Sequence, residues 1–544
     1  MSEGTMTPGT MTPGTSQEPR WDWDAAARSA GATQDGTFNA ATMPLPGQPA
    51  VIWRRADGSS AAYSGDQLRR RGAEIAAVLT QLGVRRGDRV AGLIGRRPAS
   101  FAAALGAWHL GAVYVPMFSG FGGDGLKARL ADCGPAAAIT DTASRPGLDA
   151  VADILPDLRI LVVDGAGEDG DTDMRAAIER GVDLAGPAAT GLHDTSTIMY
   201  TSGTTGRPKG CQIPHHAVLT LAPYVRDFLA LNPGDVLFSG ADAGWSFGLF
   251  TTGFAPMAKG IARVIYEGPF DPAGWWDTVS RLSAGHLAAA PTAFRQLAAA
   301  GPGLLPAQFT AGSSAGEPLD AATIDWFRDR AGVVVHDSYG LSELGMVIGN
   351  LRTPGAPAVE PGCMGTALPG FDVALIGPDG EPVSGEGAGR IAVKDNSFLL
   401  SSGYWGRTDE WNARFAGEWF ITEDIARRDE HGRYWFVGRA DDVIVSSGYN
   451  VGPAEVETAL LRHGLVSDAA CVGEPDPVRG TVVAAHVVLA GPAPDDLLAE
   501  LRQCVGAGVG WYAAPRRLHV HDSLPRTDSG KIQRHLLRQQ GGNP

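Results

Sequence analysis

From about Tyr63 onward the sequence alternates on a short beat between helix-like and strand-like segments. AEIAAVLTQLG has helical periodicity, RVAGLIG is a short apolar run, and PASFAAALGAWHLG is helical again. AVYVP, GLKARLADC, AAAIT and RILVVD continue as strand, helix, strand and strand. Short, nearly continuous apolar strands between helices suit a parallel sheet covered on both faces, because each strand then meets apolar neighbours on either side. The pattern predicts an α/β fold. At 544 residues the chain is too long for one core, which predicts at least two domains, the first large and multi-layered with parallel-rich sheets.

The texture changes near residue 440. RYWFVGRADDVIVSSGYNVGPAEVETALLR reads as strand, turn, strand and then a helix with Pro453 at its start. A strand near Ala469 to Val472, the strand TVVAAHVVLA, the helix DDLLAELRQCV, the strand RRLHVHDSLP and a short basic tail follow. This predicts a small α+β domain over 440–544, with the boundary at Arg439 to Asp442 and the large domain over 21–439. The first 20 residues repeat MTPGT, are rich in Thr, Pro and Gly and lack the apolar core of a signal peptide, so a disordered tail is expected there. Phe101 to Phe118 is the longest apolar candidate, but His109, two glycines and Pro116 interrupt it. It reads as a buried helix running into a buried strand rather than a membrane span.

A formal charge of −15 argues against nucleic acid or an anionic membrane as the main partner. An anionic ligand must then be met by locally arranged cations. The five cysteines are scattered without a CxxC, which fits free thiols in a reducing cytoplasm better than a disulfide framework or a zinc site.

One loop supplies such a local arrangement. TSGTTGRPKG, Thr201 to Gly210, packs four hydroxyls, three glycines and Lys209, one of five lysines in the chain, directly after the apolar Ile198-Met199-Tyr200. Glycines let backbone approach a ligand closely, hydroxyls donate to phosphate oxygens, and the lysine adds a point charge. The composition is that of a phosphate cradle, although the GxxxxGK[ST] pattern is absent. On composition alone, a flexible surface turn is the commoner reading of such a loop.

The exact string resembles the signature loop of the AMP-forming adenylating superfamily, which includes acyl-CoA synthetases, nonribosomal adenylation domains and luciferases. Further segments agree in the family's order. GEPL, Gly316 to Leu319, resembles the adenine-side turn, and DSYGLSE, Asp337 to Glu343, the aromatic-to-glutamate motif. ITEDIARRDEHGRYWFVGRADD, Ile421 to Asp442, resembles the ribose and hinge segment, and SSGYNVGPAEVE follows it. LPRTDSGKIQR, Leu524 to Arg534, resembles the loop of the catalytic lysine.

The resemblance implies a reaction in two halves. A carboxylate attacks the α-phosphate of ATP, giving an acyl-adenylate and pyrophosphate, and a thiol then displaces AMP. It implies that Thr201, Ser202, Gly203, Thr204, Thr205 and Lys209 surround the β- and γ-phosphates. Glu343 would bind Mg²⁺, and Lys531 would bring the α-phosphate and the attacking carboxylate together. Gly316, Glu317, Pro318, Asp337, Ser338, Tyr339 and Ser342 would line the nucleotide, with Tyr339 on the adenine. Asp424 and Arg439 would hold the ribose, Asp441 would be the hinge, and Gly448 would open a passage for the pantetheine thiol. Taken singly, Glu343 could instead start a helix, Tyr339 could be core, Gly448 a turn glycine, and the arginines around Lys531 a solvated basic tail.

The chain departs from the family pattern at several places. Glu423 replaces a glycine beside Asp424, Ser342 replaces a threonine, and Asn450 stands where acetyl-CoA synthetases carry an arginine. Gly340 stands where those enzymes have a tryptophan that closes the acyl pocket, which implies room for a larger acid. ADAGWSFGLFTTGFAPMAKG, Ala241 to Gly260, resembles the medium-chain acyl-CoA synthetase branch, with Trp245, Phe247 and Phe250 lining or flanking the acyl pocket. At least one of these three aromatics is expected in the core. No lysine, arginine or histidine lies between Asp235 and Phe254, so a monocarboxylate (medium-chain, branched or aromatic) is expected. Coenzyme A is the expected acceptor. A stand-alone ligase that loads a carrier protein, or uses its adenylate for other chemistry, is the alternative, and an inactive nucleotide-binding scaffold a lesser one.

Overall fold

A computed structural model describes residues 21–201, 208–440, 442, 444–446, 449–476, 480–527 and 530–540. Ser202, Gly203, Thr204, Thr205, Asp441 and Gly448 therefore lie outside the described residues.

The alternating segments form an eight-stranded sheet. Its strands Arg89–Leu93, Val113–Met117, Ala137–Thr140 and Arg159–Val162 pair in parallel. Helix Gly65–Gln81 leads into this sheet, and helices Ala99–His109 and Gly123–Cys133 supply crossovers within it. Gly65–Gln81 starts at a capping box, with Ser64 and Gln67 exchanging side-chain and backbone bonds. The apolar stretch 101–118 is a buried helix and strand, and among the described residues no helix is long and apolar enough to cross a membrane.

A second sheet of fourteen strands runs alongside. Its first part is parallel, through Val236–Ser239, His286–Ala289, Ala311–Ala315 and Val335–Leu341. Beyond Val335–Leu341 the pairing turns antiparallel, through Gly345–Gly349, Cys363–Ala367, Tyr434–Arg439 and Trp419–Arg428. The sequence reading left this half undescribed. Hairpins need no crossover helix, so the helix–strand beat that marks the parallel half is missing from it. One core of buried apolar side chains, among them Phe101, Trp108, Phe228, Phe250 and Phe254, draws on both sheets.

The last hundred residues form a three-stranded sheet, Val466–Asp476, Gly480–Leu489 and Arg517–His521, with helices Pro453–Leu460 and Leu497–Gly508 in a core on one face. The segment around Leu524 and Ile532 and the helix Arg534–Gln540 cover the other face. Three of the arginines here are not a solvated tail. Arg526 forks onto Asp468, Arg534 forks onto Glu457, and Arg538 pairs with Asp442.

Candidate active site

The glycine-rich loop joins two antiparallel strands, Thr195–Thr201 and Lys209–Pro214, in which Thr201 and Lys209 are direct partners. The lysine is thus fixed at the loop's exit, opposite its entrance. Lys209 Nζ lies 2.9 Å from Glu410 Oε2 and 5.3 Å from the centroid of the Tyr404 ring. The Tyr404 hydroxyl donates to Glu343 Oε1 at 2.8 Å. Burial, reinforced by the Glu343 charge, raises the tyrosine's pKa and keeps it a donor. Glu343 Oε2 has no hydrogen-bond partner among the described residues, so the carboxylate presents one oriented, open oxygen. Tyr404 and Glu410 belong to no motif recognised in the sequence. Only the pairing of strand Gly403–Tyr404 with Cys211 and Gln212 brings the tyrosine here.

A second group lines one cavity: Gly316, Glu317, Pro318, Asp337, Ser338, Tyr339, Gly340, Asp424, Arg439 and, from the small domain, Lys531. Asp424 and Arg439 are direct partners on adjacent antiparallel strands. The buried Tyr339 hydroxyl donates to Asp424 Oδ2 at 2.7 Å, fixing one carboxylate oxygen. Thr422 Oγ1 accepts from the Asp424 amide and donates to the Ile391 carbonyl. Glu423 needs no special turn. It lies in the strand Trp419–Arg428 where the pairing with Gly387–Lys394 shifts register, without a positive φ, and its side chain turns to Arg414 and Arg390.

Asp337 is buried, which pushes its carboxyl up to about 8 against the lowering pull of the Ser338 and Leu319 amides. Its Oδ1 and the Ser314 Oγ lie close to one another without a well-formed hydrogen bond, an arrangement of buried polar atoms that a ligand could complete. Glu317 is already engaged, accepting from Thr292 Oγ1 and from Arg295 Nη2 at 3.0 Å.

Lys531 ends a tight turn in which the Thr527 amide donates to the Lys531 carbonyl and the Lys531 amide to Thr527 Oγ1. Gly530 has φ of +89° there, and a Cβ on it would sit 3.7 Å from Glu317 Oε1, so the lysine turn abuts the large domain. Arg526 ties this junction together by donating to the Gly530 carbonyl at 2.6 Å, with Nη1 3.8 Å from Glu317.

One expectation about the acyl side needs correcting. Gly340 lines the cavity but adds no room in the direction of a side chain, because a Cβ there would lie 2.2 Å from the Gly345 carbonyl oxygen and 2.8 Å from Met346 Sδ. The glycine lets two strands meet at a bulge, and Met346 fills the space beside it. Phe250 is core, stacked on Trp108. Trp245 packs against Phe118 and Phe121, and Phe247, half-buried, opens a π-helical turn that runs to Phe254. Ser246, between them, reaches Ser342 Oγ at 3.5 Å, so this segment adjoins the Glu343 turn. The nearest basic groups are occupied: Arg96 lies 3.4 Å from Asp242, and Arg263 donates to the Ala241 carbonyl.

Known proteins resemble this chain over nearly its whole length. A family model described as AMP-binding enzyme matches residues 38–405, and one described as AMP-binding enzyme C-terminal domain matches residues 455–531. The acetyl-coenzyme A synthetase of Bacillus subtilis (strain 168) is 32% identical over 493 residues, 88% of this chain and 84% of that protein. The mitochondrial acyl-coenzyme A synthetase ACSM4 of Mus musculus is 30% identical over 511 residues, 91% of this chain and 87% of that protein. The crystal structure of an acyl-CoA synthetase from Brucella canis superposes with a TM-score of 0.73 at 34% identity, covering 96% of this chain and 97% of that one. With the ordered motifs, the two-sheet architecture and a small domain whose lysine enters the shared cavity, these matches place the chain in the AMP-binding enzyme family of AMP-forming ligases.

Proposed function

We propose that this protein joins a monocarboxylic acid, medium-chain, branched or aromatic, to coenzyme A through an acyl-adenylate. The acid's oxygen bonds to the α-phosphorus of ATP as the bond to pyrophosphate breaks. The thiol of coenzyme A then attacks the acyl carbon, and AMP leaves. One observation carries the reading: Lys531 of the small domain lines the same cavity as Asp337, Tyr339, Asp424 and Arg439.

In this reading Asp424 accepts both ribose hydroxyls, since a carboxylate has lone pairs to spare beyond the Tyr339 bond. The free Asp337 Oδ1 accepts from the adenine amine, with Ser338, Gly316 and Pro318 around the base. Lys209, Thr201 and the loop residues Ser202, Gly203, Thr204 and Thr205 hold the departing pyrophosphate. Lys209 must exchange Glu410 for phosphate to do so. Glu343 suits Mg²⁺, a hard cation, because its Oε2 is open while Tyr404 orients Oε1. Bound there, the ion would offset phosphate charge. Trp245 and Phe247 border the acyl group together with Gly340, and Met346 sets the depth beside that glycine. The units 21–439 and 440–544 turn about Asp441 between the half-reactions, Gly448 passes the pantetheine thiol, and the protein works in the cytoplasm.

ATP–pyrophosphate exchange over a panel of acids, with mass spectrometry of products formed with and without coenzyme A, tests the reading. Exchange is expected with apolar monocarboxylates and an acyl-CoA product only when coenzyme A is present. Exchange restricted to amino acids, or a thioester formed only on a carrier protein, would overturn it. A second expectation concerns Tyr339→Phe. It removes a hydrogen bond to a charged carboxylate, worth about 1.5–3 kcal/mol and partly replaced by water. The KM for ATP should rise about tenfold with kcat little changed, because ground state and transition state lose the same contact. An unchanged KM would show that Tyr339 does not position Asp424.

A further inference from the structure

The three strands of the small domain place Glu474, His486 and His519 on one face, and no step of the adenylation reaction uses them. None of them lines the nucleotide cavity. One ligand atom from each, Glu474 Oε1, His486 Nε2 and His519 Nε2, lies within 4.8 Å of the other two. His519 Nε2 is 2.8 Å and His486 Nε2 is 3.7 Å from Glu474 Oε1. Despite these distances, none of the three atoms has a hydrogen-bond partner among the described residues. Glu474 is 1% exposed and His486 0%, so water does not compensate them.

Neighbouring groups leave these lone pairs free. Arg517 Nη1 donates to Glu474 Oε2 at 2.9 Å, which occupies that oxygen and leaves Oε1 open. His486 Nδ1 lies 2.8 Å from His521 Nε2. When Nδ1 carries the proton and donates it to His521, His486 Nε2 is a bare lone pair facing a carboxylate oxygen. Two buried acceptors facing one another repel unless a cation lies between them. Zinc bonds of about 2.0–2.1 Å to imidazole and carboxylate put tetrahedral ligands about 3.3 Å apart, between the two separations found here. His519, at the sheet edge with 35% of its side chain exposed, has the freedom to close the remaining gap.

We infer that Glu474, His486 and His519 bind one divalent transition-metal ion, Zn²⁺ being the best match. Two imidazoles and a carboxylate form a borderline donor set that favours Zn²⁺ over Mg²⁺ or Ca²⁺. His521 and Arg517 are the outer partners that orient the ligands. The ion joins the strand Arg517–His521 to both others. That strand leads directly to the turn of Lys531, so metal occupancy stiffens the support of the lysine.

The test is Zn²⁺ titration of the chelator-stripped, full-length protein against a chromophoric competitor, with Co²⁺ as the spectroscopic probe. The wild-type chain should take up one equivalent and give the visible bands of tetrahedral Co²⁺ with nitrogen and oxygen ligands. His519→Ala, at the half-exposed ligand, should weaken affinity by at least about 10-fold, and His521→Ala by about 10- to 100-fold. His431→Ala, at a remote exposed histidine, should change nothing. Failure of the folded wild-type protein to bind Zn²⁺ overturns the inference, as does binding that survives both His519→Ala and Glu474→Gln. Thiolate-to-cobalt charge-transfer bands in the wild-type protein would equally place the ion elsewhere.

Discussion

Lys531→Ala is expected to slow acyl-adenylate formation by about 10²- to 10³-fold, the usual cost of removing one charged donor from a developing anionic transition state. Thioester formation from a supplied acyl-adenylate should be largely retained. The asymmetry follows from the chemistry. Joining a carboxylate to a triphosphate brings two anions together, whereas attack of a thiol on an adenylate does not. The effect should be electrostatic rather than structural. The Lys531 side chain is exposed, and the turn that carries it is held by backbone and Thr527 contacts that alanine preserves. Stability should therefore change by no more than about 0.5 kcal/mol. Pyrophosphate exchange and coenzyme A transfer, measured separately, read the two halves. Normal exchange in the variant would remove Lys531 from the reaction.

Glu457→Ala should destabilise the small domain by about 3 kcal/mol. The single nitrogen Arg534 Nη2 forks to Oε1 and Oε2 of Glu457, at 2.7 and 2.8 Å, and Oε1 also accepts from the buried Cys471 amide at 2.7 Å. Removing the carboxylate leaves a guanidinium with only a fifth of its side chain exposed, and breaking a buried pair by deleting one partner costs about 3–5 kcal/mol. The low end applies because Asp442 remains 3.6 Å from Arg534. Hydrogen exchange suits the measurement, since a two-domain chain need not unfold in one step. Amides of the strands Val466–Asp476 and Gly480–Leu489 should lose protection while those of the eight-stranded sheet keep it. Because Arg534 follows Lys531 by three residues, adenylation should fall as well. Unchanged protection in the small-domain strands would show that the fork contributes nothing.

The two variants probe features that the sequence reveals to different degrees. Lys531 is legible because its whole loop, LPRTDSGKIQR, is a local string. The Arg534–Glu457 fork spans a sequence separation of 77 residues, and nothing local in either partner points to the other. The same divide runs through the surroundings of Lys209. TSGTTGRPKG announces Lys209, but Tyr404, which links it to Glu343, arrives only through strand pairing. Gly340 shows the opposite risk. Its small size suggests an empty pocket, yet the approach of a neighbouring strand consumes that space.

By itself the sequence determined the alternating half of the fold, the order of the motifs and the types of residue in each motif loop. These are short-range properties: periodicity follows from helix and strand geometry, and loop chemistry from a few adjacent residues. The tertiary structure alone decided which oxygen of Glu343 stays open, where Glu423 points, what fills the space beside Gly340 and that three strands gather Glu474, His486 and His519. Each depends on groups far apart in the chain meeting within a few ångströms, which is set by packing rather than by any local pattern.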